Sequence, residues 1–493
     1  MSMAGLNVVG QVIGDIDLGG FDAESDPRLE EDFITTPYAK RAVAGPPYIF
    51  LGRKGSGKSA LFSQLPRLAV EQGKGTHVVD VTVNDYAWNA LKNYREQGLS
   101  SDLSHSNAWK LTLAIEVAAA LLSLETKQWS AATYTKVAAI HNFMRDNFGE
   151  FKAKELNSAT SILKGLDSFN LGAFGFSAGA TWKDRGRQPL TPHVLEVFLD
   201  HLRAPLGEQK VIVELDRLDD AWDGTEDAKS LLVGLLKAAK ELNDSFRRAK
   251  SGGLRIVIFL RTDIYDVLRF DDKDKHRPYE EQIFWEADDL RDLVSRRLPK
   301  DVTVDELFED GKMRGSILPF DHILKRTFLR PREVLQFMDQ CLRRADPDGT
   351  EILKEHVRGS ESMFSNWKVE DLKQEFSKAI PEFEPLLEAL RQQVHRYDRF
   401  SELEAILQER APGVVGDIGV RRALEILFDT SVIGIRIAGA GSTRYKSTDP
   451  SLTLPASGVL YVHQSLYKGL NITETRKSLQ GDADPADEDG QFE

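Results

Sequence analysis

The run Gly52-Arg53-Lys54-Gly55-Ser56-Gly57-Lys58-Ser59 constrains this chain more than any other stretch. It follows Tyr48-Ile49-Phe50-Leu51, which reads as a buried strand, and precedes Ala60-Leu61-Phe62-Ser63-Gln64-Leu65, which reads as the first turns of a helix. Strand, glycine-rich loop and helix in that order are the context in which G-x-x-x-x-G-K-[ST] cradles phosphate. Glycine lets the backbone curl until several N–H groups share one concave face. A helix starting near Gly57 aims the positive end of its dipole at the same spot. Lys58 is then the point charge for β- and γ-phosphates, and the Ser59 hydroxyl completes a Mg²⁺ shell. A helix terminus alone contributes only about 0.3–1 kcal/mol. Capture therefore needs the nest of Gly52, Gly55, Ser56 and Gly57, the lysine and the metal together. The competing reading is a glycine-rich turn with no ligand.

With 493 residues, the chain has room for two to four domains. Hydrophobic residues make up 41% and charged residues 29%, which suits a protein with a full-sized core. The longest apolar stretch, Leu111 to Leu124, is interrupted by Glu116 and is shorter than the roughly 18 residues of a membrane span. The N-terminus lacks a basic start followed by an apolar run, so no membrane association is expected and the cytoplasm is the expected compartment. One cysteine, Cys341, excludes an intrachain disulfide and a cysteine metal cluster. The net charge of −13 argues against a protein whose whole surface coats nucleic acid, but not against a local basic patch.

The chemistry beyond the loop sits at the ends of two later strands. Lys210-Val211-Ile212-Val213-Glu214-Leu215-Asp216 carries a carboxylate out at its C-terminal end, where ligands sit in open α/β sheets. Asp216 is placed to hold Mg²⁺. Asp219 and Asp220 read either as carboxylates that polarise an attacking water or as helix-capping, solvated residues. Leu254 to Leu260 is a second buried strand and ends in Arg261-Thr262-Asp263. Arg261 reads either as a cation beside the γ-phosphate or as a surface arginine paired with Asp263. Between the loop and these strands, His77 to Val83 is a further strand, and Trp109 is weighed as core against base stacking, with core favoured. Ser168 to Trp182 alternates aromatic and small residues and suggests an inserted hairpin, either a contact arm or a plain surface feature. Further helices are read at Thr36–Gly45, Pro192–Leu202, Lys229–Leu242, Trp285–Leu298 and from Pro331 onward, the last with Cys341 on its core face.

The expected divisions are a loosely ordered arm over 1–35 and a P-loop core over 36–300 with an insertion at about 131–190. A helical lid over 301–365, a winged-helix-like domain over 366–475 and an acidic disordered tail over 476–493 follow. The winged helix is read from helices at about 368–378, 382–396, 399–408 and 418–428 leading into Val432 to Ile437. A glycine-rich turn, Ala438 to Ser442, then joins that strand to Thr443 to Lys446.

In sequence order, GRKGSGKS, VIVELDRLDD, IVIFLRTDIYD and RPREVLQF resemble bacterial P-loop ATPases of the AAA+/STAND kind, near the KAP-like and replication-initiator-like branches. The resemblance spans about residues 35 to 345. It implies an α/β fold: a P-loop NTPase core with a parallel sheet flanked by helices, a helical lid and a C-terminal winged-helix domain. It implies ATP and Mg²⁺ as ligands, with Lys58 and Ser59 as the Walker A pair and Asp216 as the metal carboxylate. Arg261 falls at sensor 1, and Arg332 or Arg330 at sensor 2. Arg217 stands where many AAA+ proteins place a catalytic glutamate, and the resemblance puts Asp219 in the second acidic position. Slow ATP hydrolysis by a molecular switch acting through a partner effector in bacterial defence or signalling is the function implied. Assembly into oligomers, with Arg296 or Arg297 as a finger reaching a neighbour, is implied as well. The alternative is a DNA-binding initiator-like protein using Arg421, Arg422, Arg436, Arg444 and Lys446, with nucleotide in a supporting role.

Overall fold

The apolar runs around the phosphate loop become neighbouring parallel strands. A computed structural model of the protein describes residues 13–72, 76–82, 91, 101–124, 129–148, 192–220, 222–248, 253–300, 302–436 and 442–474. The expected hairpin at 168–182, most of the expected turn at 438–442 and the acidic tail lie outside these residues. Contacts divide the chain into two units, one of Thr35–Arg53 and Lys58–Ile283, the other of Met1–Ile34, Lys54–Gly57 and Phe284–Glu493.

The first unit is a five-stranded sheet with the strands β1 (Ile49–Gly52), β2 (Thr76–Thr82), β3 (Lys210–Asp216), β4 (Leu254–Arg261) and β5 (Glu280–Gln282). Their spatial order is β2-β3-β4-β1-β5, and every pairing is parallel. Strands buried on both faces need continuous apolar sequence, which β1, β3 and β4 supply. One face carries Ile49, Leu51, Val211, Val213, Leu215, Ile256 and Ile258 into a single core. That core also takes in residues of α3 (Ser101–Leu122), α4 (Ala131–Phe148), α5 (Pro192–Glu208) and α6 (Glu226–Arg248). Trp109 is wholly buried there, and its indole N–H donates to the Leu231 carbonyl at 3.0 Å, so it is a core residue. On the opposite face, Phe62 of α2 (Lys58–Gln72) meets Phe259 edge-on at 6.2 Å. The helix α1 (Pro37–Ala44) precedes β1, with the Thr36 hydroxyl accepting from the Ala39 amide. Its C-terminal carbonyls are gathered by the partly buried Arg255 guanidinium, which donates to Arg41, Ala42 and Gly45, satisfying groups a helix end leaves open. The result is an all-parallel sheet flanked by helices, with the glycine-rich loop at the C-terminal end of β1.

In the second unit, residues 13–34 are not the loosely ordered arm expected from their composition. Ile13 and Leu18 are buried in one core with Leu290, Val294, Phe337 and Phe364. Arg297 is buried too, donating to the Leu18 carbonyl and to Asp26 at 2.6 Å. Gly- and Asp-rich sequence hides such anchors because the apolar side chains that carry them, Ile13, Ile16, Leu18, Phe21 and Ile34, are scattered without a helical or strand period. The helices here are α7 (Ala287–Arg296), α8 (Pro319–Lys325), α9 (Pro331–Arg344) and α10 (Lys354–Phe376). The boundary expected near 365 falls inside α10. That helix gives Val357 and Phe364 to one core and Val369, Leu372 and Phe376 to the next, so a change in composition is not a break in the chain. Beyond it come α11 (Phe383–Ala389), β6 (Arg396–Tyr397), α12 (Phe400–Arg410), α13 (Pro412–Ile418), α14 (Val420–Asp429), β7 (Ile433–Arg436) and β8 (Val459–Val462). The three strands pair antiparallel in the order β6-β8-β7. Thr443–Lys446 was expected to partner β7, but β8 is its main neighbour, and Arg444 adds a single bridge to Ile435.

Candidate functional site

Lys58 opens α2 and is nine-tenths buried, with 8% of its surface exposed. Its Nζ donates to the carbonyls of Gly52 at 2.9 Å and Arg53 at 3.1 Å. Burial pulls the ammonium pKa below the ordinary lysine value, and the charges of Asp219 and Asp216 oppose that pull. Alternation along β3 puts Ile212, Glu214 and Asp216 on one face and Val211, Val213 and Leu215 on the other. Asp216 is therefore delivered, buried, to the tip of the strand. The Ser59 hydroxyl and the Arg217 amide donate to its carboxylate. Burial raises the pKa of Asp216, and Lys58, Ser59 and the Arg217 amide hold the charge against it.

Arg261 ends β4 directly beside Gly52, its register partner on β1. It pairs with Asp263 at 2.7 Å and stands 3.6 Å from Asp219. Both readings of Arg261 thus hold in part: it is paired with Asp263, and it lies in the cluster. Asp220 instead pairs with Arg217 at 2.7 Å on the exposed side, where Arg217 takes a left-handed φ of 59°. The structure brings Lys58, Ser59, Asp216, Asp219 and Arg261 together and leaves Asp220 out.

In the second unit, Arg332 lies against Gly55 of the loop tip. A Cβ added to Gly55 would stand 3.1 Å from the Cβ of Arg332, and Gly55 has a φ of +77°. The Arg332 guanidinium pairs with Asp22 and donates to the Phe21 carbonyl at 3.3 Å. Arg330 is buried and donates to the Lys54 carbonyl and to Glu375, each at 3.0 Å. Arg297 is too buried to reach a neighbouring subunit. Arg296 is half-exposed and pairs with Asp292 at 3.1 Å.

Two residues named in the sequence only as parts of a helix and a strand take on roles at the site. Trp285 donates its indole N–H to the Ser56 carbonyl at 2.8 Å. Glu214 is fully buried in β3, register partner of Asp80 on β2, and neither of its oxygens has a donor among the described residues. Two carboxyls in contact need one proton between them, and burial with Asp80 and Asp216 nearby pushes the Glu214 pKa up to about 11. A glutamate inside an apolar strand run was the available signal. Folded Glu214 keeps a proton that the unfolded chain gives up above its ordinary pKa of 4.5, so its burial makes stability fall as pH rises from there. Glu116, pushed up to about 7, acts in the same direction over a narrower window. Glu214→Gln keeps a donor for Asp80 without an ionisable proton. It is expected to raise Tm by a few degrees at about pH 8 and by almost nothing at about pH 5. A thermal melt series across pH checks this, and equal shifts at both ends would mean the carboxyl is not protonated.

Against this geometry stand the relatives. A family described as the FunZ-associated C-terminal helical domain matches residues 287–373. That stretch covers α7 to most of α10. In Escherichia coli (strain K12), the putative transposon gamma-delta 80.3 kDa protein is 25% identical over 292 residues, 54% of this chain and 41% of that protein. The chain thus spans about two fifths of that relative's length. Among solved structures, the Aeropyrum pernix Orc1 protein in complex with DNA aligns over 90% of each chain at 12% identity and a TM-score of 0.30. Cdc6p from Pyrobaculum aerophilum aligns over 90% of this chain and 91% of its own at 13% identity and a TM-score of 0.29. At those scores the likeness is loose and carries no weight for function. Among the described residues, no helix is long and apolar enough to cross a membrane.

Proposed function

We propose that the chain is an ATP-binding and ATP-hydrolysing switch of the AAA+/STAND type. The meeting of Lys58, Ser59 and Asp216 at the tips of β1 and β3 carries this reading. Asp216 Oδ2 is buried with no hydrogen-bond partner among the described residues, and the Ser59 hydroxyl lies beside the same carboxylate. Hard oxygen donors with one position open fit Mg²⁺. Bound there, Mg²⁺ would neutralise charge on the β- and γ-phosphate oxygens. Lys58 exchanges the carbonyls of Gly52 and Arg53 for phosphate oxygens. Arg261 stabilises negative charge as it develops, and Asp219 orients the attacking water. Arg332 is the lid arginine of this scheme, and its partly exposed pairing with Asp22, worth about 0–1 kcal/mol, is weak enough to exchange for a γ-phosphate. A place in bacterial defence or signalling rests on resemblance alone.

The C-terminal topology of helix, short strand, helices and hairpin supports a winged helix. Among the cations assigned to a DNA patch, Arg421, Arg422, Arg444 and Lys446 have acidic partners. Arg421 and Arg422 both pair with Glu425, Arg444 pairs with Asp449, and Lys446 pairs with Asp429.

Phosphate release from Mg-ATP tests the proposal. A carboxylate acting on water contributes about 10²–10⁴-fold, so Asp219→Ala should lower the rate by about a hundredfold or more. Asp220→Ala, paired with Arg217 away from the cluster, should stay within about twofold. No release from the parent or from either variant would leave a nucleotide-bound scaffold in place of an ATPase.

A further inference from the structure

The tip of the phosphate loop, Lys54–Gly57, is held from outside at alternate carbonyls. Arg330 Nη1 donates to the Lys54 carbonyl at 3.0 Å, and Trp285 Nε1 donates to the Ser56 carbonyl at 2.8 Å. The described peptide bonds are all trans. In a planar trans peptide, the carbonyl of one residue and the N–H of the next point in opposite directions. Fixing the Lys54 carbonyl on one side therefore fixes the Gly55 N–H on the other. The Ser56 carbonyl and the Gly57 N–H are related in the same way. Gly55 and Gly57 both have left-handed φ, +77° and +95°, as a curled nest of amides requires.

We infer that Trp285 and Arg330 are positioning residues that preset the Gly55 and Gly57 amides for phosphate. The inference rests on the ATP reading and says which side chains outside the motif shape its loop. Neither residue touches the ligand in this scheme. Arg330 is committed to Lys54, to Glu375 at 3.0 Å and to Glu333 at 3.4 Å, so it acts through the backbone and not as a second phosphate-reaching arginine. Trp285 packs against the core of its unit and lays its ring along the loop, where a Cβ on Gly57 would stand 3.6 Å from its Cζ2. Ser56 Oγ is buried at this tip with no partner among the described residues, a further polar atom left for a ligand.

Trp285→Phe keeps an aromatic ring, though a smaller one than the indole, and removes the N–H donor. Titration calorimetry with ADP and with Mg-ATP should show both binding about five- to tenfold more weakly, the size of one net hydrogen bond. The melting temperature without nucleotide should stay within about 2 °C, and kcat at saturating ATP should fall less than affinity does. Unchanged affinity overturns the inference, whether or not the melting temperature drops. Arg330→Lys, which keeps the charge beside Glu375 but gives up the guanidinium fork, should weaken both nucleotides in the same way. It carries the test if Trp285→Phe fails to fold. Lys58→Met run in parallel separates the two ideas. Wild-type binding by Lys58→Met would overturn the ATP site itself, whereas loss there with normal binding by Trp285→Phe would overturn only the positioning role.

Discussion

Lys58→Met is expected to weaken ATP binding by at least about a hundredfold while leaving the fold intact. The Lys58 ammonium is buried against two loop carbonyls and faces the carboxylates of Asp216 and Asp219. Hydrogen bonds to charged groups contribute about 1.5–3 kcal/mol each, and two of them to phosphate oxygens exceed what the dipole of α2 supplies. Methionine keeps the stem and the buried volume. It leaves the Gly52 and Arg53 carbonyls without this donor, but it also removes an ammonium whose burial is unfavourable. The two effects oppose each other, so the melting temperature without nucleotide should move by no more than about 3 °C. Calorimetry and circular dichroism on the same sample check both halves. Retained ATP affinity with a normal spectrum would mean that the loop is a structural turn.

The second large effect is on the fold and not on the ligand. Gly234→Ala is expected to destabilise the protein by about 2–3 kcal/mol, lowering Tm by about 5–10 °C. Gly234 lies in α6 where α3 crosses it. A Cβ there would stand 2.6 Å from the His105 Cβ, 2.9 Å from the His105 carbonyl carbon and 2.9 Å from the Ser106 nitrogen. Two of those atoms are backbone and cannot swing aside, so the helices must separate along a seam that includes Trp109 and Leu231. Alanine is the better helix former by about 1 kcal/mol, which is too little to offset that. A differential scanning melt checks it, and an unchanged or higher Tm would show that the two helices yield at the crossing.

The core was legible in the sequence wherever its cause is local. The runs at Tyr48–Leu51, Lys210–Asp216 and Leu254–Leu260 read as buried strands because only a sheet covered on both faces tolerates such continuous apolar sequence. The helix from Pro331 was legible because proline suits a first helical turn and Val334, Phe337, Met338 and Cys341 share one face. The short strands β5 and β6 escaped notice. Glu280-Glu281-Gln282 has no apolar content, and pairing with β1 alone makes it a strand. Arg396-Tyr397 is two residues long, and Tyr461 and Leu460 across the ladder decide it.

The candidate site divides in the same way. The glycine-rich loop is one contiguous stretch that carries its glycines, the lysine ammonium and the serine hydroxyl within eight residues, so the sequence alone marks it as a candidate phosphate site. Which carboxylate stands near Lys58, whether Arg261 faces Asp219 or solvent, and where Arg330 and Arg332 point depend on contacts hundreds of residues apart along the chain. The strand order puts β4 between the loop strand and the acidic strand, and the buried network of Arg330, Glu333, Lys368 and Glu375 ties up one of two near-identical arginines. Local propensity and periodicity carry no information about such pairings, because each is decided by burial against a partner that the sequence does not place beside it.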